Sequence, residues 1–158
     1  MHVYLLIWVV LSQCFITLPF LAKEAPAQAA DEAALLEGEA FIRKLSPRHK
    51  DDGGRGYELV YVVDAPLDVY WKFKTDFDND FLTTNKFIDA HRLISQRNNV
   101  AVTEDIFSED LYPHKPKAKF RWQTTLFPSQ YRLAFVLLNP EECGQKFHYG
   151  HIQLVAVE

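Results

Sequence analysis

The sequence predicts an α+β domain, and three observations carry that prediction. A strand-like segment near residue 60 is rich in aromatic and β-branched residues. From Asp64 the apolar positions switch to helical spacing, and from Phe87 onward they return to strand-like segments. A strand, short helices and then a run of antiparallel strands is an α+β order. The chain has 158 residues, 48% of them hydrophobic and 14% aromatic, which suits one domain with a buried core and excludes a disordered chain.

Taken in order, residues 30–37 (ADEAALLE) favour helix, Gly38 interrupts them, and residues 39–43 alternate as a short strand would. Residues 45–55 (LSPRHKDDGGR) are turn chemistry throughout, with Pro47, Asp51, Asp52, Gly53 and Gly54. Residues 57–63 (YELVYVV) then predict a well-formed strand. Asp64 suits a cap and Pro66 the first turn of a helix carrying Leu67, Val69, Tyr70, Phe73 and Lys74 at helical spacing. Residues 78–85 predict a second short helix or turn. Strands follow at 87–96, 100–107, 118–127, 130–138 and 146–157, with Asn98 and Asn99 forming a tight turn between the first two.

Alternation is cleanest in 118–127, where Ala118, Phe120, Trp122, Thr124 and Leu126 face one way and Lys119, Arg121, Gln123 and Thr125 the other. The next strand sets Tyr131, Leu133, Phe135 and Leu137 against Arg132, Ala134, Val136 and Leu138. An antiparallel sheet with such an aromatic face must cover it with a helix or leave a cavity that something else fills.

The first residues read differently. Val3 to Ala22 carry no charge, and an alanine-rich polar stretch follows Lys23 and Glu24. The small residues Ala25, Ala27 and Ala29 fit a signal-peptidase site, so residues 1–29 are expected to be an export signal or, since the run is long enough to span a bilayer, a retained membrane anchor. Cys14 follows Gln13, too large for a lipoprotein cleavage site, and reads as a cysteine packed in an apolar helix. Residues 30–56 then form an N-terminal extension with a strand and a turn, and residues 57–158 the main domain. The expected location is periplasmic or secreted, or the outer face of the inner membrane if residues 3–22 remain as an anchor.

A net charge of -4 leaves no positive surplus to neutralise a phosphate backbone, so nucleic acid is not an expected partner. Two cysteines, Cys14 and Cys143, cannot make a disulfide framework or a four-ligand zinc site. Asp76, Asp78 and Asp80 have the spacing of the first three ligands of an EF-hand loop, but the sixth position is Phe81 and the twelfth Phe87, so they read as capping or solvated acids. His148 and His151 are three apart, which in a strand puts them on opposite faces and rules out a shared ion. Cys143 sits in a turn beside carboxylates that blunt its thiol. No phosphate loop, dinucleotide fingerprint or nucleophile elbow occurs, and no cofactor or metal is expected.

Val62-Val63-Asp64-Ala65-Pro66-Leu67-Asp68-Val69-Tyr70-Trp71, followed by Asp76, resembles the opening of START-like domains, the superfamily of Bet v 1 relatives and polyketide cyclase/dehydrase-like proteins. The resemblance runs from about Tyr57 to Glu158. It implies a helix-grip fold, in which a curved antiparallel sheet with two short helices after the first long strand wraps a long C-terminal helix around an apolar cavity. Such domains continue with one more strand and that helix, which are not found before Glu158. The family has no universal catalytic residues, so none is carried over.

The aromatic set Phe120, Trp122, Tyr131 and Phe135, with Tyr149 and His151 to orient a polar end, is the candidate ligand site. The leading expectation is non-enzymatic binding of a hydrophobic small molecule or lipid, with membrane contact through an uncleaved leader. An alternative is a cyclase or dehydratase for a polyketide-like substrate, drawing its acid or base from His151 with Tyr149 or Glu104. A third is an interaction module that recruits a partner chain along a sheet edge.

Overall fold

The computed structural model describes residues 2–10, 35, 37–45, 54–79, 88–109 and 117–157. Its strands are β1 (His2–Val10), β2 (Phe41–Leu45), β3 (Gly56–Val63), β4 (Ile88–Arg97), β5 (Val100–Phe107), β6 (Lys119–Phe127), β7 (Arg132–Leu137) and β8 (Tyr149–Val157). They form one antiparallel sheet in the order β2-β3-β1-β8-β7-β6-β5-β4. The helix α1 (Leu67–Thr75) lies between β3 and β4 in sequence. The α+β class and the strand-rich second half are therefore as expected. Of the second short helix or turn predicted over 78–85, residues 78 and 79 are described, as turn and coil, and 80–85 lie outside the described residues.

Residues 2–10, inside the stretch expected to be a leader, run as a strand between β3 and β8. The backbone register pairs Val3 with Val63 on one side and Val3 with Ala156 on the other. Among the described residues no helix is long and apolar enough to cross a membrane.

The two-residue alternation of β6 and β7 sets the faces of the sheet. Thr103 pairs with Trp122, Trp122 with Leu137, Thr124 with Phe135, and Leu133 with Ile152, so these side chains share an inner face. Glu104, Arg121, Gln123, Val136, Tyr149 and His151 share the outer face by the same register. Edge strand β4 has register shifts between Ile88 and Ala90 and between Leu93 and Ser95, bulges that bend it away from a straight pairing edge.

Pro66, whose fixed φ of -60° suits a helix start, is the N-cap residue of α1 and has no side chain able to cap it. The Tyr70 amide bonds the Pro66 carbonyl at 2.9 Å, closing the first turn. Leu67, Tyr70 and Trp71 pack against Leu154 of β8 together with Tyr61, Tyr131 and Ile152. Val69 and Phe73, expected on the same stripe, are exposed, because the packed face runs through positions 67, 70, 71 and 74. Tyr131 adopts a left-handed φ of 47° after the 3-10 turn Pro128–Gln130, and its ring meets the edge of Trp71 with centroids 5.8 Å apart.

A second inner-face cluster forms around Phe120, Leu137 and Cys143, flanked by Phe107, Ala118 and Trp122. Phe120 is 1% exposed and meets Phe107 edge to face at 4.8 Å. Cys143 belongs to this cluster, its thiol donating to the Lys119 carbonyl at 3.5 Å from the turn that carries it. Truncating Phe120 to Ala should therefore destabilise the fold by about 3–5 kcal/mol, the usual cost of removing a fully buried ring, read as a fall in the urea unfolding midpoint at unchanged slope.

Candidate functional site

Between the two inner-face clusters lies a cavity of about 340 Å³. The sheet lines it with Trp122, Leu133, Phe135 and Ile152, and the end of α1 and the turn after it close one side with Lys74, Asp76 and Phe77. Its polar wall comes from His91, Thr103, Asp105, Thr124 and His148. Thr103, Asp105 and Thr124 are buried, as their inward register requires.

The polar wall is organised around His91. Its Nδ1 lies 2.5 Å from the Asp105 carboxylate, and its Nε2 donates to the Phe77 carbonyl at 2.9 Å. Register places His91 directly opposite Asp105. A carbonyl only accepts, so Nε2 carries a proton, and a second proton is shared between Nδ1 and the Asp105 carboxylate. Burial alone would lower the His91 pKa, but the hydrogen bonds to Asp105 and Phe77 and the Asp105 and Asp78 charges outweigh it and hold it above the ordinary value. Burial raises the Asp105 pKa, and the His91 hydrogen bond and charge offset this only in part. This bridge ties the turn after α1 to the sheet floor.

Lys74 and His148 flank the bridge. Burial lowers the Lys74 pKa, and its ammonium sits 5.7 Å from the Tyr70 ring centroid. Tyr70 is pushed up by burial and then by the Tyr61 hydroxyl, 3.5 Å away. His148 stands edge-on to Trp122 with centroids 4.8 Å apart, near Phe135, and burial keeps it below its usual pKa. Its Nδ1 donates to the Gln145 side-chain oxygen at 3.1 Å.

Of the residues selected from sequence, Trp122 and Phe135 line this cavity. Phe120 is buried beside it, and Tyr131 packs in the α1 cluster. Tyr149 and His151 pair with Val136 and Ala134 and so lie on the outer face, away from the cavity. Burial, followed by the Arg132 charge, lowers His151 to about 4. Glu104 is also on the outer face, buried and held by Arg92 at 2.8 Å and Arg121 at 3.1 Å. Burial would raise its pKa, but the hydrogen bonds from Arg121 and Arg92 and the Arg92 and Lys119 charges overcome this and keep it low.

His91, Thr103, Asp105, Thr124 and His148 were not selected from sequence. Strand alternation in 100–107 could have aligned Thr103 with Asp105, but the pairing with His91 depends on register across a bulged strand. Asp76 ends α1 and accepts the Asn79 side-chain amide at 3.3 Å, while Asp80 lies outside the described residues. Among the described residues no three His, Cys, Asp or Glu side chains are grouped to hold a metal. No family model, curated protein or solved structure matches the chain.

The raised pKa of His91 has a measurable consequence. A folded-state pKa above the unfolded value of about 6.5 makes the pair stabilising below that value, and the contribution fades as pH rises through the folded pKa. The stability gap between the native chain and Asp105→Asn should therefore be widest near about pH 6 and narrow toward about pH 9. The His91 C2 proton should titrate with a midpoint that drops in the variant. A gap constant across that range would show a neutral pair.

Proposed function

We propose that the chain binds a hydrophobic small molecule or lipid-like ligand without chemical turnover, in the cavity between α1 and the inner sheet face. The observation that carries this reading is the cavity itself: its volume lies in the range of small-ligand sites, and ring and aliphatic walls meet a few convergent polar groups. The helix-grip, START-like reading belongs to the same proposal, and the packing of α1 against β8 on the inner face supports it.

Two arrangements support binding over the alternatives. The groups that sequence offered a cyclase or dehydratase, His151, Tyr149 and Glu104, face away from the cavity, and His91 has both ring nitrogens engaged. Recruitment of a partner along edge β4 would have to accommodate its two bulges.

Export is part of the same proposal, and it makes a distinct demand. In a molecule whose leader is cut after Ala29, β1 is gone and β3 and β8 lose the strand that joins them. The intact mass of protein recovered from its own host should equal that of residues 30–158 if the leader is removed; the mass of the full chain would reject cleavage.

Binding is tested on two neighbouring positions of β7. Phe135→Arg, which puts a charge into the cavity, should weaken uptake of an apolar fluorescent probe by at least about tenfold, since burying an unpaired charge costs more than 1.4 kcal/mol. Val136→Arg, on the outer face of the same strand, should leave uptake unchanged. Equal loss in both, with both folded by circular dichroism, would reject the cavity as the site.

A further inference from the structure

The lining of the cavity specifies more about its ligand than apolarity. Its ionisable groups are Lys74, Asp76, His91, Asp105 and His148. His91 and Asp105 neutralise each other, and the single charges of Lys74 and Asp76 cancel in the sum, so the lining carries no net charge toward an anion or a cation. The fifth of these groups, His148, is different in kind. Because the Gln145 oxygen accepts the proton of His148 Nδ1, the neutral ring keeps a lone pair on Nε2, and no described residue donates to it. The ring stands edge-on to Trp122 beside Phe135, among the largest apolar surfaces of the site.

We infer that the cavity selects an uncharged, flat hydrophobic ligand carrying a hydroxyl, such as a phenol, whose O–H donates to His148 Nε2 while its ring lies against Trp122 and Phe135. This rests on the binding reading above and adds the chemical class. A hydrocarbon of the same shape would leave the imidazole acceptor unsatisfied in an apolar site, which is penalised; a carboxylate would be desolvated in a lining with no net positive charge, and it cannot donate to Nε2. Burial keeps His148 neutral and so keeps the acceptor available.

Equilibrium dialysis of the full chain against naphthalene, 2-naphthol and 2-naphthoate separates the possibilities. The native chain should bind 2-naphthol about three- to tenfold more tightly than naphthalene, the worth of one neutral hydrogen bond, and 2-naphthoate more weakly than 2-naphthol. His148→Phe should erase that preference while still binding naphthalene, and His148→Gln, which restores a carbonyl acceptor, should recover part of it. Equal affinity of the native chain for naphthalene and 2-naphthol would overturn the hydroxyl assignment without touching the binding reading. So would a preference for 2-naphthoate, which would move the polar end to Lys74. Failure of the folded native chain to bind any of the three overturns the binding reading itself. The comparison within the native chain needs no variant, so it stands even if a substitution at His148 impairs folding.

Discussion

The apolar inner face of the sheet has to be kept from water, and the element that covers it is short. A nine-residue helix spans about 14 Å at 1.5 Å per residue, whereas eight strands spaced about 4.8 Å apart extend well over twice as far. α1 therefore seals the part of the face near β8 through Leu67, Tyr70 and Trp71. Farther along, Phe120, Leu137 and Cys143 close the face with their own bulk and the turn that carries Cys143. The cavity lies between these two solutions, lined by Ile152 from one cluster and Trp122 from the other.

Several charged groups are buried in ion pairs, and each pair joins elements that apolar packing would leave loosely related. The His91–Asp105 bridge reaches the Phe77 carbonyl and so holds the turn after α1 against β4 and β5. On the outer face Glu104 gathers Arg92 and Arg121 from the strands on either side. Toward the other edge, Arg43 of β2 meets the fully buried Glu58 of β3 at 2.5 Å across directly opposed positions. Removing one member of such a pair strands the other in a medium that solvates it poorly, so these contacts enforce register more than they add net stability.

α1 itself buries no residue completely, and Val69 and Phe73 stay in solvent. Lifting its C-terminal end would expose less apolar surface than opening the sheet, where Phe120, Leu133, Leu137 and Leu154 are nearly inaccessible. The side of the cavity formed by Lys74, Asp76 and Phe77 is accordingly the weaker wall, tied down by the His91 contact more than by packing.

Much of the architecture could be read before any coordinates. The period-2 pattern of 118–127 put Phe120, Trp122 and Thr124 on one face, and composition alone marked β3, α1 and the later strands, because burial acts on single side chains within one element. The site was legible only in part. Trp122 and Phe135 were found as apolar surface, while Tyr149 and His151 were grouped with them although the β7–β8 register turns both outward. His91 and Asp105 are 14 residues apart and meet through strand pairing across a bulge, and His148 acquires its free acceptor from a bond to Gln145 in the preceding loop. Amino-acid order determined which segments could be strands or helix and which residues wished to be dry. Tertiary structure decided which polar groups face one another, because register and the span of a single short helix are properties of the assembled sheet and of no element alone.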